Sequence, residues 1–175
     1  MKELVIIGIG NILQNDDGFG VYAAKFLETN YTFSPAISII NGGVEGINLL
    51  SVFMEYKEAL ILDAIELEDE AGSVYCLPAS ELTNHKLNIA TAHDIGVIEC
   101  LNMLHLMDKE PPKTSILGIV PQSIAFHIGL SETLAQKFHL YMQTLLSILK
   151  ERGVKVEKNA KTLSLEEIVE GFLKP

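Results

Sequence analysis

The chain has 175 residues, 48% of them apolar and 21% charged, which predicts a single soluble globular domain. Its net charge of −10 argues against nucleic acid or an anionic membrane surface as a partner, and it is compatible with a cation or a basic protein partner. The N-terminal apolar run is too short for a secretory signal, and no stretch approaches the roughly 20 apolar residues that span a bilayer. We therefore expect no membrane insertion.

The two cysteines, Cys76 and Cys100, are isolated in the sequence and lack CxxC spacing. Such spacing does not favour a disulfide or a zinc knuckle. Buried thiols in a reducing compartment are the simpler interpretation, and this predicts a cytoplasmic protein.

Strands and helices alternate from the N-terminus onward. The first strand, "LVIIGI", is continuously apolar, as expected of a strand buried on both sides. The helix "GFGVYAAKFLETN" follows, then the strand "AISIIN", the helix "EGINLLSVFMEY" and the strand "EALILDAI". This order predicts a parallel sheet covered by helices on both faces.

The next segment departs from that alternation. An acidic turn leads directly into a short strand, Ser73 to Leu77, with no helix between, which predicts an antiparallel strand. A polar loop, a helix from about Asp94 to Met107, the last strand "KTSILGIV" and a long helix with Ser131 at its N-cap complete the domain. We therefore predict a three-layer α/β/α fold with a mixed, mostly parallel sheet.

The composition shifts after Gly153, so we place the main domain at residues 1–153 and a tail at 154–175. The tail contains a basic linker and then a capping-box pattern, with Ser164 followed three residues later by Glu167. This pattern predicts a short amphipathic helix. Two roles remain open for the tail, which either packs back on the domain or docks a partner.

The stretch "IIGIGNILQNDDGFG" resembles the start of a dinucleotide-binding loop, but it does not complete the pattern. The third glycine of GxGxxG would fall at Leu13, and Asp16 and Asp17 would repel a pyrophosphate. Asp16 taken alone is explained as the N-cap of the first helix, in which case replacement by asparagine is tolerated. A helix cap needs only one aspartate, so the side chain of Asp17 is available as a ligand in a functional site.

Three potential metal ligands are predicted to meet at one edge of the sheet. Asp17 follows the first strand, Asp63 in "LILDAI" lies at the end of the third strand, and His93 lies at a loop-to-helix junction. Ligands of open parallel sheets bind outside the carboxyl ends of the strands, and this donor set suits a divalent transition metal. Each residue also has a simpler role, as a cap, a solvated strand end or a surface histidine. His127 is the reserve candidate, and the remaining histidines fit less well: His85, His105 and His139.

Several motifs together resemble those of the hydrogenase maturation endopeptidases. They are, in order, "GIGNILQNDDGFG", "NGGVEG", "LILDAI", "AHDIG" and "LGIVPQS…HIGLS", within residues 1–153. The resemblance implies a mixed five-stranded, phosphorylase/hydrolase-like sheet with one antiparallel strand. It also implies that Asp17, Asp63 and His93 bind a metal. The first of these positions is often glutamate in relatives. Gly42 and Gly43 match a loop of the substrate cleft, to which we also assign Asp16.

The family resemblance further implies the reaction. These enzymes remove a C-terminal extension from the large subunit of nickel–iron hydrogenases after nickel is loaded, so the large-subunit precursor is the expected partner. The nickel is expected to be carried by the substrate's cysteines, and zinc or cadmium can take its place in crystals. The sequence contains no HExxH motif and no nucleophile elbow, which agrees with recognition of the metal and attack by water.

Two alternatives from other functional classes remain open at this point. A non-catalytic nickel-binding or chaperone module would use the same three ligands without cleaving a peptide bond. An interaction protein would dock a hydrogenase assembly partner through its acidic surface and C-terminal helix. Processing of a nickel-loaded precursor separates the protease from both.

Overall fold

A computed structural model describes residues 1–44, 46–83 and 92–175, with the side chains of residues 46, 47, 82, 83, 92 and 93 outside that description. Its strands are β1 (Lys2–Ile9), β2 (Tyr31–Ser34), β3 (Ser38–Gly43), β4 (Tyr56–Ala64), β5 (Val74–Pro78), β6 (Lys113–Ile119) and β7 (Lys155–Lys158). Its α-helices are α1 (Phe19–Asn30), α2 (Leu50–Glu55), α3 (Ala92–Leu106), α4 (Glu132–Glu151) and α5 (Leu165–Leu173). None of the helices formed by the described residues is long and apolar enough to cross a bilayer.

The main sheet has five strands in the order β3-β1-β4-β6-β5. β1 runs parallel to both β3 and β4, and β4 runs parallel to β6. β5 pairs antiparallel with β6, with Cys76 opposite Leu117. This arrangement confirms the mixed sheet and the antiparallel strand that the sequence predicts. The carboxyl ends of β1, β3, β4 and β6 therefore lie along one edge.

Alternating residues of each central strand enter two different hydrophobic layers. In β1, Leu4 and Ile6 pack with α1 and α4, whereas Val5 and Ile7 pack with α2 and α3. Helices therefore cover both faces of the sheet, which confirms the three-layer α/β/α architecture. Each such side chain contributes roughly 1.5–3 kcal/mol when it is fully buried.

Two glycines allow α1 to lie unusually close to the sheet. A Cβ on Gly20 would overlap the carbonyl oxygen of Leu62 in β4, and a Cβ on Gly8 would overlap the carbonyl oxygen of Gly20. Because α1 directly follows the turn with the two aspartates, this close packing fixes the turn at the ends of β1 and β4.

The long helix α4 begins as the sequence predicts. The Ser131 hydroxyl oxygen accepts a hydrogen bond from the backbone N–H of Leu134 at 3.3 Å, which satisfies one of the unpaired donors of the first turn. The buried stripe of the helix packs on the sheet through residues that include Leu134, Phe138 and Tyr141.

The C-terminal tail packs back on the domain. The expected basic linker is wrong in part, because Lys155–Lys158 forms β7, which pairs antiparallel with β2 in a second, two-stranded sheet. The Asn30 side chain donates to the carbonyl oxygen of Leu163 at 2.9 Å and accepts from its N–H at 2.7 Å. The capping box of Ser164 and Glu167 is confirmed. The boundary after Gly153 remains a prediction.

Candidate active site

Asp17 lies in a short 3-10 turn, Asn15–Gly18, between the end of β1 and the start of α1. Its side chain is only 4% exposed, and its Oδ2 accepts a hydrogen bond from the backbone N–H of Asn11 at 3.0 Å. Gly10 has φ +137°, and a Cβ there would overlap the carbonyl oxygen of Asp17. The glycine therefore allows the chain to turn back and hold the Asp17 carboxylate beside the strand end.

Asp63 is the penultimate residue of β4, the central strand, and is completely buried. It stands opposite Gly118 of β6, and strand alternation places it on the same face as Ala59 and Ile61. That is the face covered by α2 and α3. The turn that carries Asp17 contacts β4, so both carboxylates lie at the carboxyl edge of adjacent strands.

The charge of Asp63 has an effect on a neighbouring buried tyrosine. The pKa of Tyr141 is raised well above its ordinary value of 10.0, first by burial and then by the negative charge of Asp63. The Tyr141 hydroxyl donates a hydrogen bond to the carbonyl oxygen of Leu117 at 2.6 Å. Tyr141 is therefore a neutral hydrogen-bond donor at ordinary pH, and its hydroxyl is committed to the Leu117 carbonyl oxygen.

His93 is the second residue of α3, the helix that packs on the Asp63 face of the sheet through Val97, Cys100 and Leu104. Its side chain lies outside the described part of the structure, so its role as a ligand stays a prediction. The next residue, Asp94, is 2% exposed in the first turn of the same helix. Asp94 belongs to the motif "AHDIG" but was missed as a site candidate, because an acidic residue in the first turn of a helix is ordinary.

Asp16 does not cap α1, and the prediction that it does is wrong. The N-cap of α1 is Gly18, without a side-chain hydrogen bond. The Oδ2 of Asp16 instead accepts from the backbone N–H groups of Gln122 at 2.9 Å and Ser123 at 3.1 Å, and from the Ser131 hydroxyl at 2.8 Å. Its Oδ1 accepts from the Ser131 N–H at 2.7 Å. Asp16 therefore fastens the loop after β6 and the start of α4 to the Asp17 turn.

Gly42 and Gly43 end β3 beside this turn. The carbonyl oxygen of Gly43, which has φ +55°, accepts a hydrogen bond from the Gly10 N–H at 3.0 Å. A Cβ on Gly42 would crowd the side chains of Ile7 and Ile9. The two glycines therefore lie at the edge where the substrate cleft is predicted, and their part in that cleft stays a prediction.

The positions of the other histidines and of Cys100 do not support a role for them in the site. His127 is exposed, and its backbone forms a parallel bridge with Gln14. His105 and His139 lie on helices α3 and α4, and His85 falls outside the described residues. Burial, and then the charge of Glu99, raise the pKa of the Cys100 thiol, which lowers its thiolate fraction and its nucleophilicity.

The donor types at this edge fit a borderline divalent metal ion. Two buried carboxylates together with an imidazole form a mixed oxygen and nitrogen set, and a carboxylate attracts a cation more strongly where water is excluded. The side chains that the structure describes include no group of three His, Cys, Asp or Glu residues that could hold a metal ion. A site with three protein ligands therefore needs a residue outside the described side chains, and His93 is the one that the sequence predicts.

Comparison with known proteins identifies the family. Residues 21–148 match the family described as HycI, hydrogenase maturation protease. The chain is 29% identical over 153 residues to the hydrogenase 2 maturation protease of Escherichia coli, which covers 87% of this chain and 93% of that protein. It is 26% identical over 156 residues to the hydrogenase expression/formation protein HupD of Rhizobium leguminosarum, with 88% of this chain and 77% of that protein covered.

Solved structures with a similar fold come from the same family as the relatives found by sequence. The hydrogenase maturating endopeptidase HybD from Escherichia coli superposes with a TM-score of 0.81 at 27% identity, covering 91% of this chain and 99% of that chain. The solution structure of an endopeptidase from the same organism gives a TM-score of 0.79 at 26% identity, covering 93% and 100% of the two chains. The chain therefore belongs to the hydrogenase maturation protease family.

Proposed function

We propose that the chain is an endopeptidase that removes the C-terminal extension from the large-subunit precursor of a nickel–iron hydrogenase after nickel is loaded. The observation that carries the proposal is the placement of two buried carboxylates, Asp17 and Asp63, at one edge of the sheet. Helix α3, whose second residue is His93, covers the face of the sheet on which Asp63 lies. Relatives named as hydrogenase maturation proteases support the assignment of the substrate class.

In this proposal the nickel belongs to the substrate. The precursor's cysteines hold the ion, and Asp17, Asp63 and His93 bind it from the protease side. Zinc or cadmium, which accept the same oxygen and nitrogen donors, would occupy the three ligands in a soaked crystal. Recognition of the metal then explains why only a loaded precursor is cut.

The chain's own residues would act on the scissile amide as follows. One of the two carboxylates accepts a proton from a water molecule as the water oxygen attacks the amide carbon. The carbon–nitrogen bond then breaks, the proton passes to the departing nitrogen, and the products are a new carboxylate and a new amine. Gly42, Gly43 and the segment fastened by Asp16 would form the cleft that orients the peptide.

We place this reaction in the cytoplasm. Neither Cys76 nor Cys100 forms a disulfide, and Cys76 is exposed, which suits a reducing compartment. The negative charge of the chain also suits a protein partner with basic segments, and it does not suit nucleic acid.

The test is a processing assay with purified precursor, with and without nickel, followed by mass spectrometry of the large subunit. The expected result is one shorter product, formed only from the nickel-loaded precursor. If the chain binds the loaded precursor but yields no shorter product, the non-catalytic nickel-binding module is correct. If binding is independent of nickel and is lost on removal of residues 162–175, the interaction protein is correct.

A further inference from the structure

Three large apolar side chains are exposed around the loops of the candidate active site. Phe126 is 82% exposed, Leu13 is 45% exposed and Ile124 is 43% exposed. We call these three residues the apolar rim. They belong to the two segments that flank the Asp16–Asp17 turn, one after β1 and one after β6.

The rim is held in place by backbone pairing between these two segments. The His127 N–H donates to the carbonyl oxygen of Leu13 at 3.0 Å, and the Asn15 N–H donates to the carbonyl oxygen of His127 at 2.7 Å. Asp16 binds the N–H groups of Gln122 and Ser123 on the other side of Phe126. The backbone on both sides of Phe126 is therefore held by hydrogen bonds, although the Phe126 side chain is exposed. The segment that carries Phe126 lies beside the segment that carries Leu13.

A groove of about 280 Å³ runs beside the rim. Its walls come from the segments that follow β4 and β6, and they include Glu66, Asp69, Gln122, Ser123 and Ile124. Ile124 therefore belongs to both the rim and the groove. The segments that line the groove follow Asp63 on β4 and Gly118 on β6 by a few residues, so the groove lies at the same edge of the sheet as the candidate active site.

The loop segments of this region carry only negative formal charge, and the side chain of Lys137 from α4 lies beside Gly72. The segments 10–18, 64–73 and 120–131 contain no lysine or arginine, and they carry six carboxylates: Asp16, Asp17, Glu66, Glu68, Asp69 and Glu70. The last four are exposed. A bound peptide that complements this surface presents apolar side chains to the rim and positive charges to the groove.

We propose that the apolar rim and the groove dock an extended segment of the large-subunit precursor next to the cleaved bond, and that this segment is both apolar and basic. The inference rests on the proposed function and adds a binding surface to it. Aromatic side chains are enriched at the cores of protein interfaces, and Phe126 is the most exposed side chain of the rim. The rim thus sets affinity for the precursor, whereas Asp17, Asp63 and His93 set cleavage.

The test compares the processing kinetics of Phe126→Ser and Leu13→Ser with those of wild type on the nickel-loaded precursor. Each replacement is expected to raise KM by about tenfold and to leave kcat within about twofold, because the lost contacts are made outside the reacting atoms. Leu106→Ser is the matched control, since Leu106 is 86% exposed at the last residue of α3. It should keep the wild-type KM.

The charge part of the proposal has its own test. Glu66→Gln should raise KM by a smaller factor, and added salt should raise the KM of wild type more than that of Glu66→Gln. The inference is overturned if the rim variants keep the wild-type KM, or if Leu106→Ser raises it equally. It is also overturned if Glu66→Gln and salt have no effect on KM. Failure of wild type to cut the precursor would overturn the proposed function instead.

Discussion

The two ends of the parallel strands use charged residues in opposite ways. At the amino end, Lys2 pairs with Glu55 at 3.1 Å and Lys57 pairs with Glu3 at 2.5 Å, and all four side chains are more than half exposed. Exposed pairs of this kind contribute only about 0–1 kcal/mol, because water and salt screen them. The amino end is therefore a solvated surface in which single charges are replaceable.

At the carboxyl end, the loop after β4 carries exposed acidic residues, but the aspartates of the candidate site are buried. Asp16 and Asp63 are fully inaccessible and Asp17 is 4% exposed. Burial of an ionised carboxylate is costly unless other groups compensate the charge, so such residues are retained where structure or chemistry requires them. Asp16 accepts four hydrogen bonds from one loop, which indicates a structural role, whereas we assign Asp17 and Asp63 to the reaction.

Among substitutions in the Asp16–Asp17 turn, the largest expected effect comes from the charge of Asp17. Asp17→Asn should lower kcat/KM for the nickel-loaded precursor at least about 100-fold, because the carboxylate would be lost while the acceptor for the Asn11 N–H is retained. Asp17→Glu should keep measurable activity, because the charge remains. If Asp17→Asn cuts as fast as Asp17→Glu, Asp17 does not contribute its charge to the reaction.

Asp16 should behave as a structural residue. In Asp16→Asn, an amide NH2 replaces one oxygen and faces a backbone N–H, either that of Ser131 or those of Gln122 and Ser123. We expect the free energy of unfolding to fall by about 2 kcal/mol in urea denaturation, because buried hydrogen bonds to a charged acceptor are lost. This replaces the expectation that the substitution is tolerated. A loss below about 0.5 kcal/mol would contradict the role assigned to Asp16.

Tyr141 should make stability depend on pH in the alkaline range. Its pKa is raised above 10.0 in the folded state, so the folded chain keeps a proton that the unfolded chain releases near pH 10. This contribution to stability is complete below about pH 10 and falls as the pH rises further. In Tyr141→Phe the free energy of unfolding should be lower by about 1 kcal/mol at pH 8, because the hydrogen bond to Leu117 is lost. Between pH 10 and 11 it should fall less steeply than that of wild type. If denaturation experiments show the free energy of unfolding falling equally with pH in wild type and Tyr141→Phe, this role of Tyr141 is wrong.

The smallest effect is expected at the amino end of the strands. Lys57→Gln removes an exposed charge pair with Glu3, so the free energy of unfolding should change by less than about 0.5 kcal/mol and processing should be unchanged. The substitution serves as the surface control for Asp16→Asn under the same denaturation conditions. A loss as large as that of Asp16→Asn would remove the distinction between the two ends of the sheet.

The main sheet was predictable because its strands are long or sharply delimited. The apolar run of β1 predicts a strand that is buried on both faces, and the short connection before β5 predicts an antiparallel strand. The β2–β7 pair was missed because each strand has four residues of mixed polarity, and such segments read as linkers until a distant partner is known. Pairing between residues more than 120 positions apart leaves no local signal.

The candidate site was only partly predictable for the same reason. The position of Asp63 follows from the end of an apolar strand, and that of Asp17 follows from the turn after β1. The role of Asp16 depends on Ser131, which lies 115 residues away, and the sequence revealed only the helix cap of that serine. Local patterns therefore located the edge of the sheet but did not assign the two adjacent aspartates their separate roles.

The most direct test of the account is the processing of nickel-loaded precursor by Asp63→Asn and His93→Ala, measured as the rate at which the shortened large subunit appears. Asp63→Asn removes the charge at a buried position with little change in size, and His93→Ala removes the imidazole at the start of α3. We expect both variants to fold and to yield no detectable product. Processing by both at the wild-type rate would contradict a reaction centred on Asp17, Asp63 and His93.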